Sequence, residues 1–173
     1  MLLYGFYTDN FYHHINKKMD YKKQSEKYKI IVWTGLLTST LDAVAAILSA
    51  HKMPAVAVFK FIASGVFGKA AFAGGFEMVG AGIFFHYLIA CSITAVLFLM
   101  YPMFISFLKN KYLVAVVFAL IAWVITHLVI VPLSHIGWSH IEIGGAVISI
   151  GILIITIGLP IALIADRYFF SKK

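Results

Sequence analysis

The sequence predicts an all-α membrane protein: a four-transmembrane-helix bundle with both termini cytoplasmic and a re-entrant or interfacial helix after the first span. Three observations carry that prediction. Hydrophobic residues make up 62% of the chain and charged residues 12%, roughly half the charge density of a soluble domain. Apolar runs at residues 30–50, 78–101, 113–133 and 143–165 each approach the ~20 residues that cross ~30 Å of hydrocarbon. The basic residues fall mostly on one side of such a bundle. Of 14 lysines and arginines, six precede the first run (Lys17, Lys18, Lys22, Lys23, Lys27, Lys29), two sit in the KNK loop (Lys109, Lys111), and three end the chain (Arg167, Lys172, Lys173). The positive-inside rule then places both termini in the cytoplasm, with Lys52, Lys60 and Lys69 in the first outer loop.

The chain divides into a cytoplasmic basic tail over 1–29, one transmembrane domain over 30–166, and a short cytoplasmic tail over 167–173. Residues 1–12 have neither a basic start nor a small-residue cleavage site, so a signal peptide is not expected. From Met19, "MDYKKQSEKYK" reads as an ordinary basic start before a first span, and residues 1–18 are expected to be a dispensable extension, poorly ordered or an upstream start. Residues 54–75, "PAVAVFKFIASGVFGKAAFAGG", are apolar, yet spanning would bury Lys60 and reverse the side of the KNK loop. An interfacial helix over 54–72 is expected instead, with its lysines snorkelling and its glycines allowing a break before the second span. Its "GVFGK" lacks the spacer and the following hydroxyl residue of a phosphate loop.

Within the spans, small and polar residues define the inward faces. The fourth span carries Gly144, Gly151 and Gly158 at steps of seven, which an ideal α-helix keeps on one face. Small residues let helix backbones approach in lipid, so this row is the expected packing face. The first span presents Gly35, Thr38, Asp42, Ala45, Ala46 and Ser49 at helical steps, so Asp42 should point into the bundle. His86 lies on the ridge Gly82, His86, Ala90, Thr94 of the second span, and His127 on the ridge Ala119, Trp123, His127 of the third. Counting inward at ~1.5 Å per residue puts all three ionisable groups on the order of 9–14 Å deep. Intramembrane ionisable residues are functional candidates, and an acid beside histidines suits a proton relay or a cation site. The same trio also suits a satisfied polar network that sets helix register, with Asp42 hydrogen-bonded or charge-paired to His86, His127 or both. Paired histidines on neighbouring spans could alternatively hold a haem.

His51, Glu77, His135, His140 and Glu142 form an outer rim of further candidates. The spacing in "SHIGWSHIE" matches no zinc signature, and Trp138 reads as an interfacial anchor. Pro132 and Pro160 lie in or at the ends of spans, where a kink is expected at Pro160. Ser39, Ser49, Ser92 and Ser149 have no adjacent base and Cys91 no nearby cation, so no nucleophile is assembled and an enzyme is the weaker class. The net charge of +7 is accounted for by topology and anionic lipid rather than nucleic acid.

"GAGIFFHYLIACSITAVLFLMYP", opening with Gly82 and His86 and closing with Tyr101 and Pro102, resembles the YagU-like family of small bacterial inner-membrane proteins. So does "VITHLVIVPLSHIG", with His127 five residues before Pro132. The resemblance covers about 60 residues and implies a polytopic protein of the bacterial inner membrane with no assigned reaction. The functional expectation is therefore a small non-enzymatic membrane protein whose Asp42, His86 and His127 handle protons or a cation, with no cofactor required. The alternative is an accessory subunit whose fourth-span glycines dock a partner helix, either of a membrane protein or of a second copy.

Overall fold

The computed structural model describes residues 2–50, 53–138 and 142–170, with side chains from residue 24 onward. All regular structure among them is helical. Four helices are long and apolar enough to cross a membrane: Gln24–Ser49 within the longer helix Leu2–Ser49, then Phe76–Leu108, Lys111–Leu133 and Ile143–Phe170. The chain is a multi-pass membrane protein. An even number of crossings puts both ends of the bundle domain on one side. The basic tail before the first span continues it as helix from Leu2.

The segment after the first span is not a fifth crossing. It forms a short helix, Ala55–Phe67, and a single turn, Ala70–Ala73. Thirteen residues reach about 20 Å, too little to span. The short helix closes at Gly68, whose φ of 58° favours glycine and whose N–H donates to the Ser64 carbonyl at 2.9 Å. It lies against the second span at Gly82, where a Cβ would overlap the Phe59 carbonyl. Backbone therefore meets backbone there, and only glycine allows it. The Lys60 ammonium donates to the Gly74 carbonyl at 2.6 Å, tying the helix to the turn before the second span. At the other end of the bundle, the second and third spans are joined by two residues. Lys109 adopts φ 52° and Asn110 Oδ1 accepts from the Tyr112 N–H at 2.9 Å, capping the third span.

The bundle is packed unevenly along its length. Near the chain termini, Phe98, Tyr101, Val114, Phe118 and Ile161 are fully buried. The Tyr101 hydroxyl donates to Asp166 Oδ1 at 2.9 Å, and Lys111 Nζ lies 3.2 Å from Asp166 Oδ2. These two bonds link the second, third and fourth spans. Toward the short helix the interior is looser and holds a cavity. Outward-facing apolar side chains such as Trp33, Phe84, Phe107 and Ile155 are 61–79% exposed, as lipid contact requires.

The third and fourth spans are not continuous α-helix. Ile125–Ile130 and Ile154–Gly158 are π-helical, and each lies just before a proline, Pro132 and Pro160. A proline ring in mid-helix clashes with the carbonyl four residues earlier and removes that hydrogen bond, and a widened turn absorbs the disruption. The consequence for the glycine row is direct. Its seven-residue spacing marks one face only on a constant helical pitch, and the π turn between Gly151 and Gly158 inserts an extra residue and rotates the face. Gly158 packs on the third span, where a Cβ would overlap the Ala115 carbonyl, whereas a Cβ on Gly144 or Gly151 would meet nothing within 4 Å. The expected single packing face is thus split. Gly158 belongs to the bundle interior, and the side-chain positions of Gly144 and Gly151 face open space.

Candidate functional site

The looser half of the bundle encloses a cavity of 430 Å3 whose lining includes Asp42, His86 and His127, one from each of the first three spans. The short helix closes it through Phe61, Ile62, Gly65 and Val66, and the fourth span contributes Ser149 and Ile152. The loop after the third span is fastened over the short helix, because the His135 N–H donates to the Gly65 carbonyl at 2.9 Å. The remaining walls are mainly apolar, with isoleucine the commonest residue, and include the hydroxyl residues Ser49, Thr126 and Ser134.

Each polar side chain is held in a definite way. Asp42 Oδ1 lies 3.4 Å from the Thr156 hydroxyl of the fourth span, and that hydroxyl also lies 3.0 Å from the Ile152 carbonyl. One hydroxyl hydrogen serves one acceptor at a time. His86 Nε2 is 2.9 Å from the Ser39 carbonyl of the first span, and His127 Nδ1 is 3.2 Å from the Trp123 carbonyl one turn earlier. A carbonyl only accepts, so each of these ring nitrogens carries a hydrogen. The expected bond from Asp42 to an imidazole is therefore replaced: the acid accepts from Thr156, and both histidines donate to backbone. Among the described residues no His–Asp ion pair forms, the salt bridges being Lys29–Glu26 and Lys111–Asp166. The physical reason is competition, since a helix carbonyl one turn away, or across a tight helix contact, is pre-positioned for the imidazole.

Trp123 completes the third-span side. Its ring stacks on His127 with centroids 4.9 Å apart and 15° between planes, and its indole N–H donates to Ser149 Oγ at 2.9 Å. Thr156 and Ser149 were not singled out as site residues by sequence. A signal existed for Thr156: it stands four residues before Pro160, much as His127 stands five before Pro132, so both polar residues fall in turns that proline widens. π turns recur at functional sites because they present side chains off the regular helical face. Toward the packed end, buried hydroxyls continue from the site along the first span. Thr38 lies 2.8 Å from Thr94 of the second span, and Ser39 Oγ lies 3.4 Å from Cys91 Sγ.

The rim residues do other things. The Glu77 carboxylate accepts from the Gly75 N–H at 2.5 Å, closing the turn into the second span. His135 Nδ1 lies 3.3 Å from the Gly65 carbonyl, and Glu142 is exposed at the start of the fourth span. His51 and His140 lie outside the described residues. Among the described residues no three histidine, cysteine, aspartate or glutamate side chains are grouped so as to hold a metal ion.

No family model, curated protein or solved structure matches the chain.

Proposed function

We propose that the protein takes up and releases a proton at Asp42, His86 and His127 inside the membrane, from the side of the bundle on which the short helix lies. The observation that supports this reading is the convergence of those three ionisable side chains, from three spans, on one cavity. Such groups are costly in hydrocarbon and repay a role at a water-reachable cavity. The Thr156 hydroxyl supplies the matching switch. With Asp42 ionised, Thr156 donates to the carboxylate. With Asp42 protonated, the carboxyl hydrogen can be given to Thr156 Oγ1 while Thr156 donates to the Ile152 carbonyl, so each proton state has a complete set of bonds. A proton held this way needs no metal and no haem. The basic tail and KNK loop place the termini in the cytoplasm in this reading, the cavity faces the outer side of a bacterial inner membrane, and the YagU-like resemblance agrees with that location.

The stacked pair Trp123 and His127 provides the test, because an imidazolium against an indole quenches its fluorescence. A Trp33→Phe, Trp138→Phe protein leaves Trp123 as the reporter. In liposomes, its emission should fall as the pH is lowered and an imidazolium forms beside it. The fall should vanish in His127→Gln and change its midpoint in Asp42→Asn. Emission that ignores pH, or responds equally in His127→Gln, overturns the proposal.

A second reading is favoured by the open glycines. Gly144, Gly145 and Gly151 present bare backbone with nothing against it, which suits a partner helix from a second copy or another membrane protein. Disulfide crosslinking of Ile148→Cys in native membranes, with no product at any copy number or partner, would remove it.

A further inference from the structure

Two hollows meet inside this bundle. A second crevice, of 440 Å3, runs between the second and third spans past Leu88, Ser92, Val96, Met100 and Ile121. Leu88 and Val96 are 51% and 54% exposed, so its mouth opens on the apolar outer surface. Ile89, Ile93 and Ile130 line both this crevice and the Asp42 cavity. Three isoleucine side chains are thus shared between the lipid-facing crevice and the acid, and Ile130 belongs to the π-helical segment of its span.

The cavity is larger than proton exchange requires. Its volume would hold about 14 waters at ~30 Å3 each. Apolar pockets of roughly 300–1,000 Å3 with a few convergent polar groups are the form of small-molecule sites. Beside the hydroxyls of Ser49, Thr126, Ser134 and Ser149, the fixed charge here has one sign. Asp42 supplies the formal negative charge, and no lysine or arginine lines the cavity. With one ring nitrogen of each histidine donating to backbone, the second nitrogen of each neutral imidazole is an acceptor. One carboxylate and two imidazole acceptors complement a group with one positive charge and three N–H donors.

We infer that the cavity binds a lipophilic primary amine, an apolar chain ending in an ammonium, admitted from the lipid through the crevice between the second and third spans. This rests on the proposed function in taking Asp42, His86 and His127 as the working groups, and it gives the proton a role. The Asp42 proton leaves to water on the side of the bundle where the short helix lies as the ammonium arrives, so charge in the cavity is conserved. An anionic head group would find no fixed cation, and a neutral chain would leave the carboxylate without a counter-charge.

The test uses the Trp123 reporter protein in zwitterionic lipid nanodiscs, with 12-bromododecylamine as the probe and 12-bromododecanol as its uncharged counterpart. Bromine quenches indole fluorescence at short range, and Trp123 stacks on His127 of the cavity wall. The amine should quench saturably, unbrominated dodecylamine should relieve the quenching, and the alcohol should bind roughly tenfold more weakly or worse. Asp42→Asn should bring the amine to the level of the alcohol. Ile130→Phe, which narrows the partition, should slow the onset severalfold. Equal, unsaturable quenching by amine and alcohol means partitioning into lipid alone and overturns the inference, and the dodecylamine competition decides this even if Asp42→Asn does not fold. An onset unchanged in Ile130→Phe overturns the lateral route. Saturable amine binding in a protein whose Trp123 emission ignores pH would overturn the proton reading and leave the binding site standing.

Discussion

Replacing Gly158 with alanine adds one methyl group where the third and fourth spans touch through their backbones. The new Cβ would overlap the Ala115 carbonyl oxygen and lie 2.9 Å from the carbonyl carbon, against the ~3.5–4.0 Å of an ordinary carbon contact. Backbone cannot rotate away, so the two spans must separate by on the order of 1 Å. That loosens their buried contacts, and such overpacking costs about 1–3 kcal/mol. Better helix propensity returns at most ~1 kcal/mol. Gly151→Ala gains the same propensity and meets nothing, so it should be neutral or slightly stabilising. The two variants are expected to differ by about 2 kcal/mol, Gly158→Ala being the weaker. Unfolding by SDS titration in mixed micelles measures the difference. Equal stabilities, or Gly151→Ala as the weaker variant, would refute the π-turn rotation of the glycine face.

Further outcomes follow from named contacts. Tyr101→Phe removes the donor to Asp166 but keeps the ring, and should cost about 1–2 kcal/mol in the same titration; no change would mean that Asp166 and Lys111 hold the three spans unaided. Gly82→Ala should destabilise as strongly as Gly158→Ala because it strikes the Phe59 carbonyl, and tryptic cleavage at Lys60 should become faster as the short helix lifts away. Thr156→Val keeps the shape and deletes the hydroxyl, so it should cost about 1 kcal/mol and shift the pH response of Trp123; an unaltered response would show that Asp42 does not depend on Thr156.

Much of this fold is legible in the residues because the bilayer imposes simple rules. Run lengths near 20 residues locate the four spans, and the lone short helix follows from the lysines and glycines of residues 54–75. Counting from the span ends puts Asp42, His86 and His127 at a common level, and the three line one cavity. Rotation about the axis is less forgiving. One extra residue in the turn at Ile154–Gly158 carries Gly158 inward while Gly144 and Gly151 stay outside, and the same turn brings Thr156 to Asp42. Prolines at 132 and 160 mark where the pitch changes, but not how far. The imidazole partners were illegible for another reason: Ser39 and Trp123 bond through backbone carbonyls, which every residue possesses, so no side-chain pattern points to them.

The proton exchange proposed for Asp42 can be tested directly. In the infrared difference spectrum of the reconstituted protein after a pH step, a protonated carboxyl gives a C=O stretching band that is distinct from those of carboxylates and amides. The expected result is one such band that appears on acidification, is absent in Asp42→Asn, and is displaced in Thr156→Val and His86→Gln. A spectrum whose carboxyl band survives unchanged in Asp42→Asn would contradict the assignment of Asp42 as the proton-exchanging group.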